Sequence, residues 1–211
     1  LSAPASSEPT RSIEVERTYD VSAETPLPDW SRLPGVARVG DAEIRELDAR
    51  YFDTAALDLA RARVAVRRRE GGPDAGWHVK ASVADGRSEW GWPLGNGDET
   101  TVPPEIVDAV AHWAEPPFSL LARIRNTRTA YALRDTEGGL VAEFVDDRVR
   151  GRDERGERDT AWREWEMELG PAAPDAPADR EAFFAAVDAA VAAVGGGPAA
   201  SDSKLGRVLG H

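Results

Sequence analysis

Read with a period of two, several stretches of this chain put side chains of one charge sign on one face and apolar side chains on the other. Ser12 to Val21 alternates strictly, with Ile13, Val15, Arg17 and Tyr19 on one side and Glu14, Glu16 and Thr18 on the other. Such alternation specifies a strand. Ala161 to Leu169 repeats the pattern, setting Glu164, Glu166 and Glu168 against Trp165, Met167 and Leu169. In Val64 to Glu70, Arg67 and Arg69 share a face, and Lys80 lies mid-strand in G-W-H-V-K. Arg123 and Arg125 share a face of Leu121 to Arg134, and Arg128 lies further along. One charged face is what a two-layer protein shows to water. Whole faces sorted by sign constrain the fold further. Like charges ~4 Å apart at an effective dielectric of roughly 20 repel by about 4 kcal/mol. Gathered glutamates therefore need a cation and gathered arginines an anion. Carboxylate oxygens without Cys or His ligands favour Mg²⁺ or Mn²⁺, and guanidinium forks match phosphate oxygens. A closed antiparallel barrel with a charged interior would place both sets around one metal-bridged polyphosphate.

The remaining elements agree with such a core. Pro26 to Gly35 predicts a short helical piece capped by Asp29, and Asp41 to Asp53 a strand followed by a helical turn at Leu57 to Ala60. Trp77 to Val83 and Arg87 to Leu94 form a hairpin around Asp85-Gly86. Pro103 to Trp113 is an amphipathic helix with Ile106, Val107, Val110 and Trp113 on one face. Leu140 to Val149 is a strand, and the charged stretch Gly151 to Thr160 reads as a solvated loop. A second helix, Arg180 to Val194, buries Phe183, Val187, Val191 and Val194 and ends at Gly195. Strands in hairpin order with few helices predict an antiparallel sheet or barrel. At about 150 residues per domain, 211 residues predict one domain, 12–211, behind a disordered Ser/Ala/Pro-rich lead-in, 1–11.

Composition removes other chemistries. There is no cysteine, hence no disulfide, thiolate nucleophile or zinc-thiolate site, and the only histidines, His78, His112 and His211, are scattered. A net charge of −12 opposes nonspecific binding to a nucleic-acid duplex or an anionic membrane. No apolar run approaches the ~20 residues of a membrane span. The first residues lack the pattern of a secretory leader, so the expected location is cytoplasmic. Gly-rich stretches such as E-G-G-P-D-A-G lack the G-K-[ST] of a phosphate loop.

E-V-E-R-T resembles the E-x-E-x-K signature of the CYTH superfamily, the triphosphate tunnel metalloenzymes. The segment Y-F-D-T-A-A-L-D-L-A-R-A-R-V-A-V-R-R-R-E-G-G-P-D-A-G-W-H-V-K is similar to that family's Tyr-Asp-Thr, short helix, R-x-R strand and G-W-x-x-K strand. L-L-A-R-I-R-N-T-R-T, V-A-E-F-V-D-D, W-R-E-W-E-M-E-L and S-K-L follow in the family's order, so the likeness runs from about Ile13 to Leu209. It implies an α+β fold, an eight-stranded antiparallel β-barrel forming a tunnel with helices packed outside. By position, Arg67, Arg69, Lys80, Arg125, Arg128 and Lys204 would grip phosphates. Glu14, Glu16, Glu164, Glu166 and Glu168 would hold metal, Mg²⁺ or Mn²⁺, with Asp146 near a second ion. Glu89 occupies a position that is often charged in the family.

The signature lysine is Thr18 here, and Arg17 points to the opposite face. Losing one preorganised donor costs about 3 kcal/mol, or roughly 10²- to 10³-fold in rate. Glu14, Glu16, Thr18, Arg67 and Lys80 are the expected catalytic set. The reaction the resemblance implies is metal-dependent hydrolysis of inorganic triphosphate or another short triphosphate or polyphosphate. Thiamine triphosphatase, class IV adenylate cyclase and a non-catalytic polyphosphate- or nucleotide-binding module remain the alternatives. Trp30 could stack on an organic ring, although core is the better assignment. A homodimer and a separate CHAD-type partner protein are the associations left open.

Overall fold

A computed structural model of the chain describes residues 8–83 and 86–210, so Asp85 of the expected hairpin turn lies outside the described residues. Eleven strands form one antiparallel sheet: β1 (Thr10–Glu14), β2 (Glu16–Val21), β3 (Arg38–Val39), β4 (Glu43–Asp53), β5 (Val64–Glu70), β6 (Gly76–Val83), β7 (Gly86–Trp92), β8 (Ser119–Arg134), β9 (Leu140–Asp153), β10 (Arg158–Leu169) and β11 (Gly197–Pro198). The helices are α1 (Asp58–Arg61), α2 (Pro104–Val110), α3 (Pro177–Ala193) and α4 (Lys204–Leu209). A 3-10 turn at Trp30–Arg32 is capped by Asp29, whose carboxylate accepts from the Ser31 N–H.

The hydrogen-bonded order is β1-β7-β6-β5-β4-β8-β9-β10-β2-β11, with β3 on β8. β1 and β2 are one run of chain broken at Val15, whose carbonyl accepts from the Leu169 N–H at 2.9 Å. β1 pairs with β7 and β2 with β10, so the sheet starts and finishes on the same stretch of chain and wraps around an interior. The ladder path itself does not close, because among the described residues β2 has no pairing with β7. The expected eight strands are present in this form. Splitting the first strand and adding the two-residue pieces β3 and β11 makes the count eleven. Thr10 and Arg11, placed in the disordered lead-in by composition, are paired with Gly91 and Trp90.

The outer faces carry the apolar layers. Trp165 and Met167, both fully buried, pack with Phe144, Tyr19 and Trp30 beneath Phe183, Phe184, Val187 and Val191 of α3. Trp30 is therefore core, with its ring centroid 4.6 Å from that of Phe144. A second layer sets Ile106 and Val110 of α2 against Phe52, Val66, Trp77 and Val79. Removing a buried indole leaves a large cavity, so Trp165→Ala is expected to cost about 3–5 kcal/mol, read from the urea midpoint.

One expectation fails locally. Gly151 to Thr160 is mostly hairpin rather than loop, because β9 runs to Asp153 and β10 starts at Arg158. The tail forms α4, whose Ser203 cap accepts from the Gly206 N–H. Six residues are too few for helical periodicity to be read. The helix is held instead by Val208, Leu205 and Leu209 packing against Ala49, Ile124 and Val149.

Candidate active site

Strand parity decides which charges face inward. Glu14, Glu16 and Thr18 of β1–β2, Arg67 and Arg69 of β5, Lys80 of β6, Arg128 of β8, Glu164, Glu166 and Glu168 of β10 and Lys204 of α4 line one cavity of about 480 Å³. A second cavity, of about 740 Å³, adjoins it beside β2 and shares Glu14, Glu16 and Thr18. Arg17 points outward to Glu181 and Asp188 of α3, as its parity requires.

Two of the expected residues are not brought in. Arg125 is exposed on the outer face. It lies three residues from Arg128, and a period of two cannot put both on one side. Asp146 also points outward, held at 2.8 and 2.9 Å by Arg163. Its neighbour Asp147 takes the interior place, directly opposite both Arg128 and Glu164 in register. V-D-D offers two aspartates in succession, and only the register with β8 and β10 separates them.

The interior acids form two groups rather than one. Oxygens of Asp147, Glu164 and Glu166 lie within 4.8 Å of one another. The Lys204 ammonium sits among them, 2.9 Å from Asp147 and 2.5 Å from each glutamate. Arg128 donates twice to Asp147, at 2.8 and 2.7 Å, and once to Glu166, at 2.7 Å. Burial alone would lower the Lys204 pKa, but Asp147, Glu166 and Glu164 hold it above the ordinary lysine value. Burial likewise opposes ionisation of Glu166, yet Lys204 and Arg128 keep its pKa below the usual carboxylate range. Three hard oxygen donors at this separation suit a divalent cation.

The second group joins Glu14, Glu16, Glu168 and Glu89. Lys80 donates to both oxygens of Glu14, at 2.9 and 2.7 Å, and Arg87 to Glu16 at 2.9 Å. Burial and the neighbouring Glu89 carboxylate push Glu14 up to about 8. Glu89 is buried among Arg67 at 3.3 Å, His78 at 2.6 Å and Lys80 at 3.5 Å. Sequence reasoning did not select Arg87, Asn126, His78 or Asp147. Only Asp147 carried a signal, as an acid next to the one chosen.

The phosphate side is only partly neutralised, with Arg67 paired to Glu89 at 3.3 Å and Arg69 to Asp74. Arg67 and Arg69 are 9% and 7% exposed, and their Nε donors lack partners among the described residues. Burial, with Arg67 and Arg128 nearby, presses the Arg69 pKa down to about 9. Asn126, 7% exposed on the same interior face as Arg128, also has an unpaired buried amide nitrogen.

Burial, with Glu16 opposite it in register, pushes Glu168 up to about 7 from the ordinary 4.5. A carboxyl that holds its proton more tightly when folded stabilises fully below its unfolded pKa, and that contribution is lost as pH rises through the folded value. The metal-free protein is expected to lose on the order of 3 kcal/mol from this group between roughly pH 4.5 and pH 8. His78, lowered to about 4 chiefly by burial, acts in the opposite sense, adding stability above its unfolded pKa that is lost as pH falls toward 4. Urea midpoints of wild type and Glu168→Gln at acid and alkaline pH isolate the first term, and parallel pH profiles would refute it.

The profile of the CYTH domain matches residues 12–187. Uncharacterized proteins from two strains of Mycobacterium tuberculosis are each 39% identical over 215 residues. The alignment covers 96% of this chain but 41% of theirs, so the chain spans about two fifths of the length of these relatives. Among solved structures, a candidate adenylate cyclase of Bacillus halodurans superposes with TM-score 0.65 at 18% identity, covering 93% of this chain and 97% of that one. A candidate adenylyl cyclase of Hippeastrum, described as having a dominant triphosphatase activity, superposes with TM-score 0.56 at 20% identity, covering 93% and 95%. At these identities the likeness establishes the shared fold. Among the described residues no helix is long and apolar enough to cross a membrane.

Proposed function

The chain belongs to the CYTH domain family, and from that premise we propose that it hydrolyses inorganic triphosphate or another short triphosphate in the charged interior. The observation that carries this reading is the pair of buried guanidiniums, Arg67 and Arg69, which line a cavity of about 480 Å³ and whose Nε donors lack partners among the described residues. Buried cations of this density call for a multiply charged anion. Arg67, Arg69, Lys80 and Arg128 would bind the phosphate oxygens. Asp147, Glu164 and Glu166 would hold Mg²⁺ or Mn²⁺. When bound, such an ion neutralises phosphate oxygens and lowers the pKa of a coordinated water. Thr18, in register with Glu166, presents its hydroxyl on the interior face, where it can orient a water. Arg67 and Arg69 then stabilise charge on the departing diphosphate.

Phosphate release from tripolyphosphate, ATP and thiamine triphosphate, with and without Mg²⁺ or Mn²⁺, tests the reading. Metal-dependent release that Arg67→Gln and Arg69→Gln each reduce by at least about tenfold supports it. A second reading rests on Thr18. Tight tripolyphosphate binding with no release under any metal would make the chain a binding module.

A further inference from the structure

The outward face of β8 and β9 carries an arginine array that the interior chemistry does not use. Arg123 and Arg125 of β8 stand directly opposite Arg152 and Arg150 of β9, and Arg148 stands opposite Thr127. Like charges placed opposite each other across strands destabilise a sheet. The array belongs to a chain whose net charge is −12. Its margins are neutralised from within: Arg123 by Asp48, Arg152 by Glu154 and Asp159, and Arg50 of β4 by Glu99. The centre is not. Arg125, Arg148 and Arg150 are exposed, and among the described residues none has a carboxylate within 4.0 Å. Asp48 faces Arg125 in register, but Arg123 holds both its oxygens.

We propose that Arg125, Arg148 and Arg150 form a docking surface for an extended acidic segment of a partner protein. Carboxylates already seat the flanking guanidiniums, so the face is built for that group. Arg148 and Arg150 are two residues apart on one strand, a step of about 6.8 Å, which is also the step between same-side residues of an extended peptide. Among the described residues the exposed large apolar side chains are Ile13, Leu27 and Ile44, none of them aromatic. The face thus lacks the stacking platform that single-stranded nucleic acid uses. This surface goes beyond the reading of the interior and does not depend on it.

The test is fluorescence anisotropy with a labelled peptide alternating glutamate and serine, on the full chain at low salt. A peptide of the same composition with its glutamates in one block is the control, and inorganic polyphosphate and poly(U) are competing probes. The alternating peptide is expected to bind more tightly than the blocked one and to weaken with added salt. R125Q/R148Q/R150Q is expected to lose roughly tenfold or more in that affinity. Its melting temperature should match or exceed that of wild type, since the Arg125–Arg150 repulsion is relieved, and its release of phosphate from tripolyphosphate should stay at the wild-type value. Binding that ignores the triple substitution, or equal affinity for the two peptides, overturns the proposal. So does absence of peptide binding alongside polyphosphate or poly(U) binding that the triple substitution abolishes, which would assign the face to a phosphate polymer.

Discussion

Lys204→Met is expected to destabilise the metal-free protein by about 3–5 kcal/mol, because it strips the central cation from a buried acid cluster. The Lys204 side chain is 14% exposed, and those of Asp147 and Glu164 are 0% and 4% exposed. Without the ammonium, Asp147 and Glu166 keep only Arg128 as a cationic partner, Glu164 keeps only the Trp162 indole N–H, and α4 loses one of its polar ties to the barrel. The same substitution opens the oxygen set to a divalent ion, since ammonium and ion would compete for it. Mg²⁺ or Mn²⁺ should therefore raise the melting temperature of Lys204→Met by more than it raises that of wild type, following the linkage of binding to stability. Thermal scans with and without metal read both effects. An equal metal response in the two proteins would show that Lys204 does not sit where the ion binds.

Thr18→Lys is expected to raise turnover of tripolyphosphate by about 10²- to 10³-fold, the usual worth of one preorganised donor at a developing charge. Thr18 lines the cavity on the same face as Glu14 and Glu16, opposite Glu166. A lysine there would extend into the cavity that Arg67 and Arg69 also line. Arg17, the adjacent cation, is tied to Asp188 and Glu181 on the outside and cannot take that role. Steady-state kcat for phosphate release, measured beside tripolyphosphate affinity, separates faster chemistry from tighter binding. An unchanged kcat would remove the missing lysine as the limit on this protein's rate.

The interior face of β10 was legible because Glu164, Glu166 and Glu168 alternate with Trp165, Met167 and Leu169, whereas on β5 Arg68 stands between Arg67 and Arg69 and strand parity alone put those two on one face. The same parity applied to β8 puts Arg125 and Arg128 on opposite faces. The position-by-position likeness kept both, and the register corrects it. The likeness also put Asp146, rather than Asp147, near the second ion. V-D-D reads the same whichever aspartate turns inward, and the choice is made by the β8 and β10 ladders. Glu89 and His78 became part of the interior network only once β6 and β7 were laid beside β5 and β1.

The amino-acid sequence by itself determined the strand-dominated fold, the sorting of charge onto alternate faces and most of the residues that line the cavity. The reason is that strand parity is a property of neighbouring residues. Tertiary structure alone decided that the acids divide into two groups, that Asp147 replaces Asp146, and that Lys204 enters an acid cluster from α4. Gly151 shows why. A Cβ there would collide with Val208, so the seat of the last helix depends on a contact between residues far apart in the chain. Contacts of that kind follow from register and packing between distant segments, which no local pattern encodes.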